Sequence, residues 1–76
     1  MEKRSVSIAG HRTSIALEPE YWAALEAMAR EAGQPLAALI RDIDGARATT
    51  NLSSAVRLAI LAWYQQRLAA LQNSAP

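Results

Sequence analysis

His11-Arg12-Thr13-Ser14-Ile15-Ala16-Leu17-Glu18, running straight into Pro19-Glu20-Tyr21-Trp22, is the stretch that decides the fold. Successive side chains of an extended segment point to opposite faces. Thr13, Ile15 and Leu17 therefore share one side, and Arg12, Ser14 and Ala16 the other. Two of the first three are β-branched, which suits a pleated surface. Register is well determined, because a slip of one residue would expose Ile15 and Leu17. A lone short strand leaves its backbone groups unpaired, and no other convincing strand follows in the chain. The same strand of a second copy is the expected partner, antiparallel about a two-fold axis.

The ten residues before this stretch read as a basic arm. Ser5-Val6-Ser7-Ile8 also alternates, but its apolar residues fall at even positions, whereas those of the main strand fall at odd ones. Ala9-Gly10 is the place to shift the phase, since glycine permits a bulge or a turn. A frayed terminus is the plainer alternative.

Beyond the strand the pattern turns helical. Pro19 suits a first helical position, Glu18 and Glu20 favour the positive end of the helix dipole, and Gly33 is a natural stop. Trp22, Leu25, Met28, Ala29 and Ala32 recur at helical spacing, which predicts a helix over about 19–32. Leu36, Leu39, Ile40 and Ile43 predict a second over about 35–47, with Arg41, Asp42, Asp44 and Arg47 outside and Ala48-Thr49-Thr50 as a connection. Asn51 or Ser53 can cap a third over about 52–71. Val56, Ala59, Ile60 and Trp63 mark one face of it, and Leu58, Leu61 and Leu68 widen its apolar surface. A helix apolar on several sides in so small a protein is best explained by burial between subunits. Residues 73–76 make a short polar tail.

The chain has 76 residues, near the size at which a monomeric core is marginal. Ala supplies much of its 51% hydrophobic content and Phe is absent, so oligomerisation is the expected remedy for a thin core. Cys is 0, which removes thiol chemistry and cysteine-bound metal and fits a reducing compartment. Net charge is only +1, yet Lys3, Arg4 and Arg12 face a lone Glu2 in the first dozen residues, with His11 as a fourth candidate cation. With no spanning run and no signal segment, a cytoplasmic protein without membrane contact is expected.

The alternating strand, the proline after it, the Leu25–Gly33 run and the helix beyond resemble the ribbon-helix-helix repressors of the Arc and methionine repressor type. Gly10-His11-Arg12-Thr13-Ser14 and Asn51-Leu52-Ser53-Ser54 look more narrowly like a group of short bacterial ribbon-helix-helix proteins. The resemblance implies a mostly α chain with one β-strand, that strand paired antiparallel across an intertwined homodimer, with an apparent extra helix. Its expected dimer core is Thr13, Ile15, Leu17, Trp22, Leu25, Val56, Ile60 and Trp63. It also implies a ribbon in the major groove of double-stranded DNA, and a bacterial transcriptional repressor as the function. Arg12, Ser14 and Ala16 fall on the family's base-reading positions. Arg12 can pair with guanine, Ser14 with several base edges, and Ala16 can only touch a thymine methyl. Lys3, Arg4 and His11 are the expected backbone contacts beside one of two helix starts. Gln34-Pro35-Leu36 has the family's spacing but lacks a donor at Pro35. Asn51, Ser53 and Ser54 have the right chemistry and are preferred.

Other roles for these residues are weaker. His11 stands alone, Asp42 and Asp44 diverge on their helix, and no nucleophile, metal cluster or phosphate loop is present, so neither an enzyme nor a cofactor is expected. The tryptophans and tyrosines sit in helical stripes and read as core or interface. The rival from another class is a dimeric protein-interaction module, which the low net charge and Ala16 favour. An antitoxin-like protein with a toxin-like partner is less favoured, because almost nothing follows the third helix. Pairing of dimers into tetramers on DNA is left open.

Overall fold

The computed structural model describes residues 1–46 and 51–73. The elements run β1 (Glu2–Ile8), β2 (His11–Leu17), α1 (Pro19–Ala32), α2 (Leu36–Ala46) and α3 (Leu52–Asn73). Arg47, the Ala48–Thr50 connection and the last three residues of the expected tail lie outside the described residues.

The expected single strand with a basic arm before it is corrected by the structure. The arm is a strand, and β1 pairs antiparallel with β2 of the same chain, from Glu2↔Leu17 to Ile8↔His11. Only Ala9 and Gly10 lie between the strands, at φ 51 and φ 82. Positive φ at both central residues of a two-residue loop is the type I′ geometry, whose twist matches that of the strands it joins. Such a loop sets even positions of one strand against odd positions of the other. The change of phase in the sequence is thus the hairpin itself, and β2 has a hydrogen-bonded neighbour without a second copy.

The face of the hairpin turned to the helices carries Val6, Ile8, Thr13, Ile15 and Leu17. Ile15 and Leu17 are wholly buried with Trp22, Leu25, Ile40 and Val56, and Ile8, Met28 and Ile60 complete the core. Six of the eight expected dimer-core residues therefore lie buried within one chain, while Thr13 and Trp63 are half-buried. Full burial of one such aliphatic side chain stabilises by roughly 1.5–3 kcal/mol.

α1 starts at Pro19, where no N–H is lost from the ladder. It ends in a Schellman motif, Gly33 at φ 66 with the Gln34 N–H on the Ala29 carbonyl at 3.1 Å. Trp22, on its first turn, donates from Nε1 to the Glu2 carbonyl at 2.8 Å, which ties the start of β1 to the helix layer. Asn51 caps α3 by accepting the Ser54 N–H on Oδ1 at 3.2 Å.

Candidate nucleic-acid interface

Alternation that sends Ile15 and Leu17 inward sends Arg12, Ser14 and Ala16 outward, and the hairpin register sets β1 residues beside them. Lys3 stands across from Ala16, Ser5 from Ser14 and Ser7 from Arg12. All six except half-buried Ala16 are exposed. The outward face is thus a strip of two cations, three serines and an alanine, without an acid or a large apolar side chain. Lys3 and Arg12 lie at opposite ends of it, four strand steps or about 13 Å apart.

Arg4 is on the other face. Its Nη1 donates to Glu26 Oε1 at 2.9 Å, its Nε donates to Glu2, and its guanidinium lies over the Trp22 ring, 4.5 Å from the centroid. These hydrogen bonds, that to Glu26 foremost, raise its pKa above the ordinary arginine value. Arg4, one of the expected phosphate contacts, here bolts β1 to α1. Parity explains the difference: in a strand, Arg4 follows Val6 and Ile8 inward while Lys3 goes outward.

The remaining candidates meet at the loop end of the hairpin. An open groove of about 530 Å³ lies between that end and the start of α3, and His11, Ser14, Asn51 and Ser53 line it. The first turn of α3 turns its positive dipole end toward this side. Ser54 is not in the lining; its N–H is held by Asn51, so the Asn51 Oδ1 is engaged in capping. Asp44 of α2 lines the same groove and lowers its attraction for an anion. The alternative helix start is elsewhere, with the Pro35 carbonyl accepting from the Ala38 and Leu39 N–H groups.

Glu18, between β2 and α1, has its pKa lowered by its own backbone N–H first and by Arg57 second. Arg57 Nη2 donates to Glu18 Oε1 at 2.9 Å. This ties α3 to the strand–helix junction. Sequence reasoning missed Ser5 and Ser7 as members of the outward face. The signal was present in the alternation of residues 5–8 followed by a two-residue loop ending in glycine. Among the described residues no group of three His, Cys, Asp or Glu is placed to hold a metal, and no helix is long and apolar enough to cross a membrane.

A family model for the ribbon-helix-helix domain matches residues 1–64, which takes in β1 and ends within α3. No curated protein and no solved structure matches the chain. The chain belongs to the ribbon-helix-helix domain family. That family is typically one of DNA-binding regulators that act as dimers.

Proposed function

We propose that this ribbon-helix-helix protein is a homodimeric, cytoplasmic transcriptional regulator that reads double-stranded DNA with the outward face of its hairpin. The observation that carries this reading is the composition of that face: Lys3, Ser5, Ser7, Arg12, Ser14 and Ala16, with no acid among them. A two-stranded antiparallel ribbon fits the major groove, and here one chain supplies both strands. Arg12 donates its guanidinium fork to guanine O6 and N7, Ser14 and Ser5 reach base edges from the middle of the ribbon, and Ala16 meets a thymine methyl. Lys3, across from Ala16, brings a cation to the end of the β2 triplet that cannot hydrogen-bond. His11 and the N–H groups at Leu52 and Ser53 hold phosphates beside the loop, where Asn51 and Ser54 fix the helix start. Arg4 keeps its place on Glu26 and takes no part.

Two measurements test the reading. Affinity for duplexes, including the gene's own upstream region, is followed by fluorescence anisotropy as salt is raised. A phosphate-bound complex must weaken steeply, with log affinity linear in log salt. On a specific site Arg12→Ala is expected to cost roughly 1–3 kcal/mol. Equal affinity of parent and variant removes Arg12 as the reader. No affinity for any duplex at low salt overturns DNA binding and leaves the protein-interaction module.

A further inference from the structure

The two strands of the hairpin repeat one another. Lys3-Arg4-Ser5-Val6-Ser7-Ile8 on β1 and Arg12-Thr13-Ser14-Ile15-Ala16-Leu17 on β2 lie nine residues apart. Position by position, Lys matches Arg, Ser matches Ser, Val matches Ile, Ser matches Ala and Ile matches Leu. Only Arg4 and Thr13 differ in kind. The inward matches follow from packing, since Ile8, Ile15 and Leu17 are buried and Val6 packs against the core. The outward matches have no such cause: Lys3, Ser5, Ser7, Arg12 and Ser14 are exposed, and Ala16 is only half-buried.

The register turns the repeat into a symmetry. Lys3 faces Ala16, Ser5 faces Ser14 and Ser7 faces Arg12. A half-turn about an axis normal to the sheet, passing between Ser5 and Ser14, exchanges the two strands. It carries Lys3 onto Arg12, Ser5 onto Ser14 and Ser7 onto Ala16. The outward face is therefore pseudo-symmetric, with a cation at each of two diagonal corners and serine at the centre. We infer that one chain is a complete reader of a short quasi-palindromic DNA site, with Lys3 as its second guanine reader. The inference rests on the proposed reading of DNA by this face, and adds the form of the site and the role of Lys3.

Two-fold symmetry in a DNA-binding surface is mirrored by palindromy in the sequence it binds. Lys, like Arg, can donate to guanine O6 and N7 in the major groove. Lys3 and Arg12 stand about 13 Å apart along the strands, which matches about four base-pair steps at roughly 3.4 Å each. The half-turn sends them to opposite DNA strands. The site then carries a guanine at each end, one on either strand, with the serines over the base pairs between. Width argues against a ribbon shared between chains. The sheet has two strands, and a second copy joined through β2 would make four. Their outer axes would lie roughly 14 Å apart, against a major groove about 12 Å wide. The hairpin alone fits, and each copy in a dimer brings its own.

Selection of sites from a random duplex pool with the full chain, followed by anisotropy titration of single-base variants of the selected duplex, provides the test. The selected segment is expected to carry two guanines, on opposite strands and about four steps apart. Arg12→Ala is expected to lower affinity roughly 5–150-fold and to lose the guanine preference at one end only. Lys3→Ala is expected to lose it at the other end only, and Lys3→Arg to keep it. If Lys3→Ala weakens all duplexes alike with both guanine preferences intact, Lys3 holds phosphate and the inference is overturned. It is equally overturned if Arg12→Ala loses the preference at both ends and Lys3→Ala at neither, as a ribbon shared by two chains requires. In either case reading by Arg12 stands. No affinity for any duplex at low salt overturns that reading and the inference with it.

Discussion

The two faces of the hairpin share the same two strands and divide the work of the domain. The inward face packs Ile8, Ile15 and Leu17 into one core with Trp22, Leu25, Ile40 and Val56, and of its residues only His11, at the loop end, is exposed. The outward face contributes little buried apolar surface and holds three serines, two cations and Ala16. Alternation thus lets a very small protein separate what keeps it folded from what it presents to a partner. The sharpest check is Leu17→Ala on the inward face. Leu17 is fully buried, and truncation of such a leucine costs roughly 2–5 kcal/mol through lost transfer energy and the cavity left behind. A domain of this size has little stability to spare. Urea unfolding should show most of it gone, whereas Arg12→Ala should leave the urea midpoint in place and weaken only DNA binding. A Leu17→Ala variant as stable as the parent would break the comparison.

The two faces were unequally visible in the sequence, for physical reasons. β2 was legible because three of its four inward positions are Thr13, Ile15 and Leu17, and α1 because Pro19 and Gly33 mark its ends. β1 was harder to see: two of its four inward positions are Glu2 and Arg4, so apolar alternation survives only at Val6 and Ile8. Its loop is disguised as well, since type I′ turns favour Asn-Gly or Asp-Gly and this one is Ala9-Gly10. Only the hairpin register brings Ser5 and Ser7 to the site, and charge alone does not distinguish Arg4 from Lys3. The cap at Asn51 needed only the sequence of the helix start. The groove that joins it to His11 needed the hairpin.

Lys3 and Arg4 turn this difference into a smaller, two-way experiment. They are adjacent cations on opposite faces. Arg4→Ala removes the link to Glu26 and the cover over Trp22, so the urea midpoint should fall, by less than for Leu17→Ala, while the salt slope of DNA binding holds. Lys3→Ala should do the reverse, with the midpoint unchanged and the slope reduced by about one. If Arg4→Ala instead flattens the salt slope, its side chain leaves Glu26 to meet phosphate, and the division between faces fails at that residue.

The smallest expected effect lies at the loop that creates both faces. Ala9 holds φ 51, a left-handed conformation in which its Cβ crowds the backbone, and an alanine there costs roughly 1–2 kcal/mol. Asparagine tolerates this region better and precedes glycine in the most favoured type I′ loops. Ala9→Asn should therefore raise stability by about 0.5–1 kcal/mol, read from urea midpoints at constant m-value. Ala9 is exposed and lies outside the outward strip, so the gain should come without a change in which bases are read. Both faces should benefit together, because one loop fixes the register that separates them. A fall in stability on Ala9→Asn would mean that residues 9 and 10 do not form this turn, and with it the pairing of Lys3, Ser5 and Ser7 against Ala16, Ser14 and Arg12 would be lost.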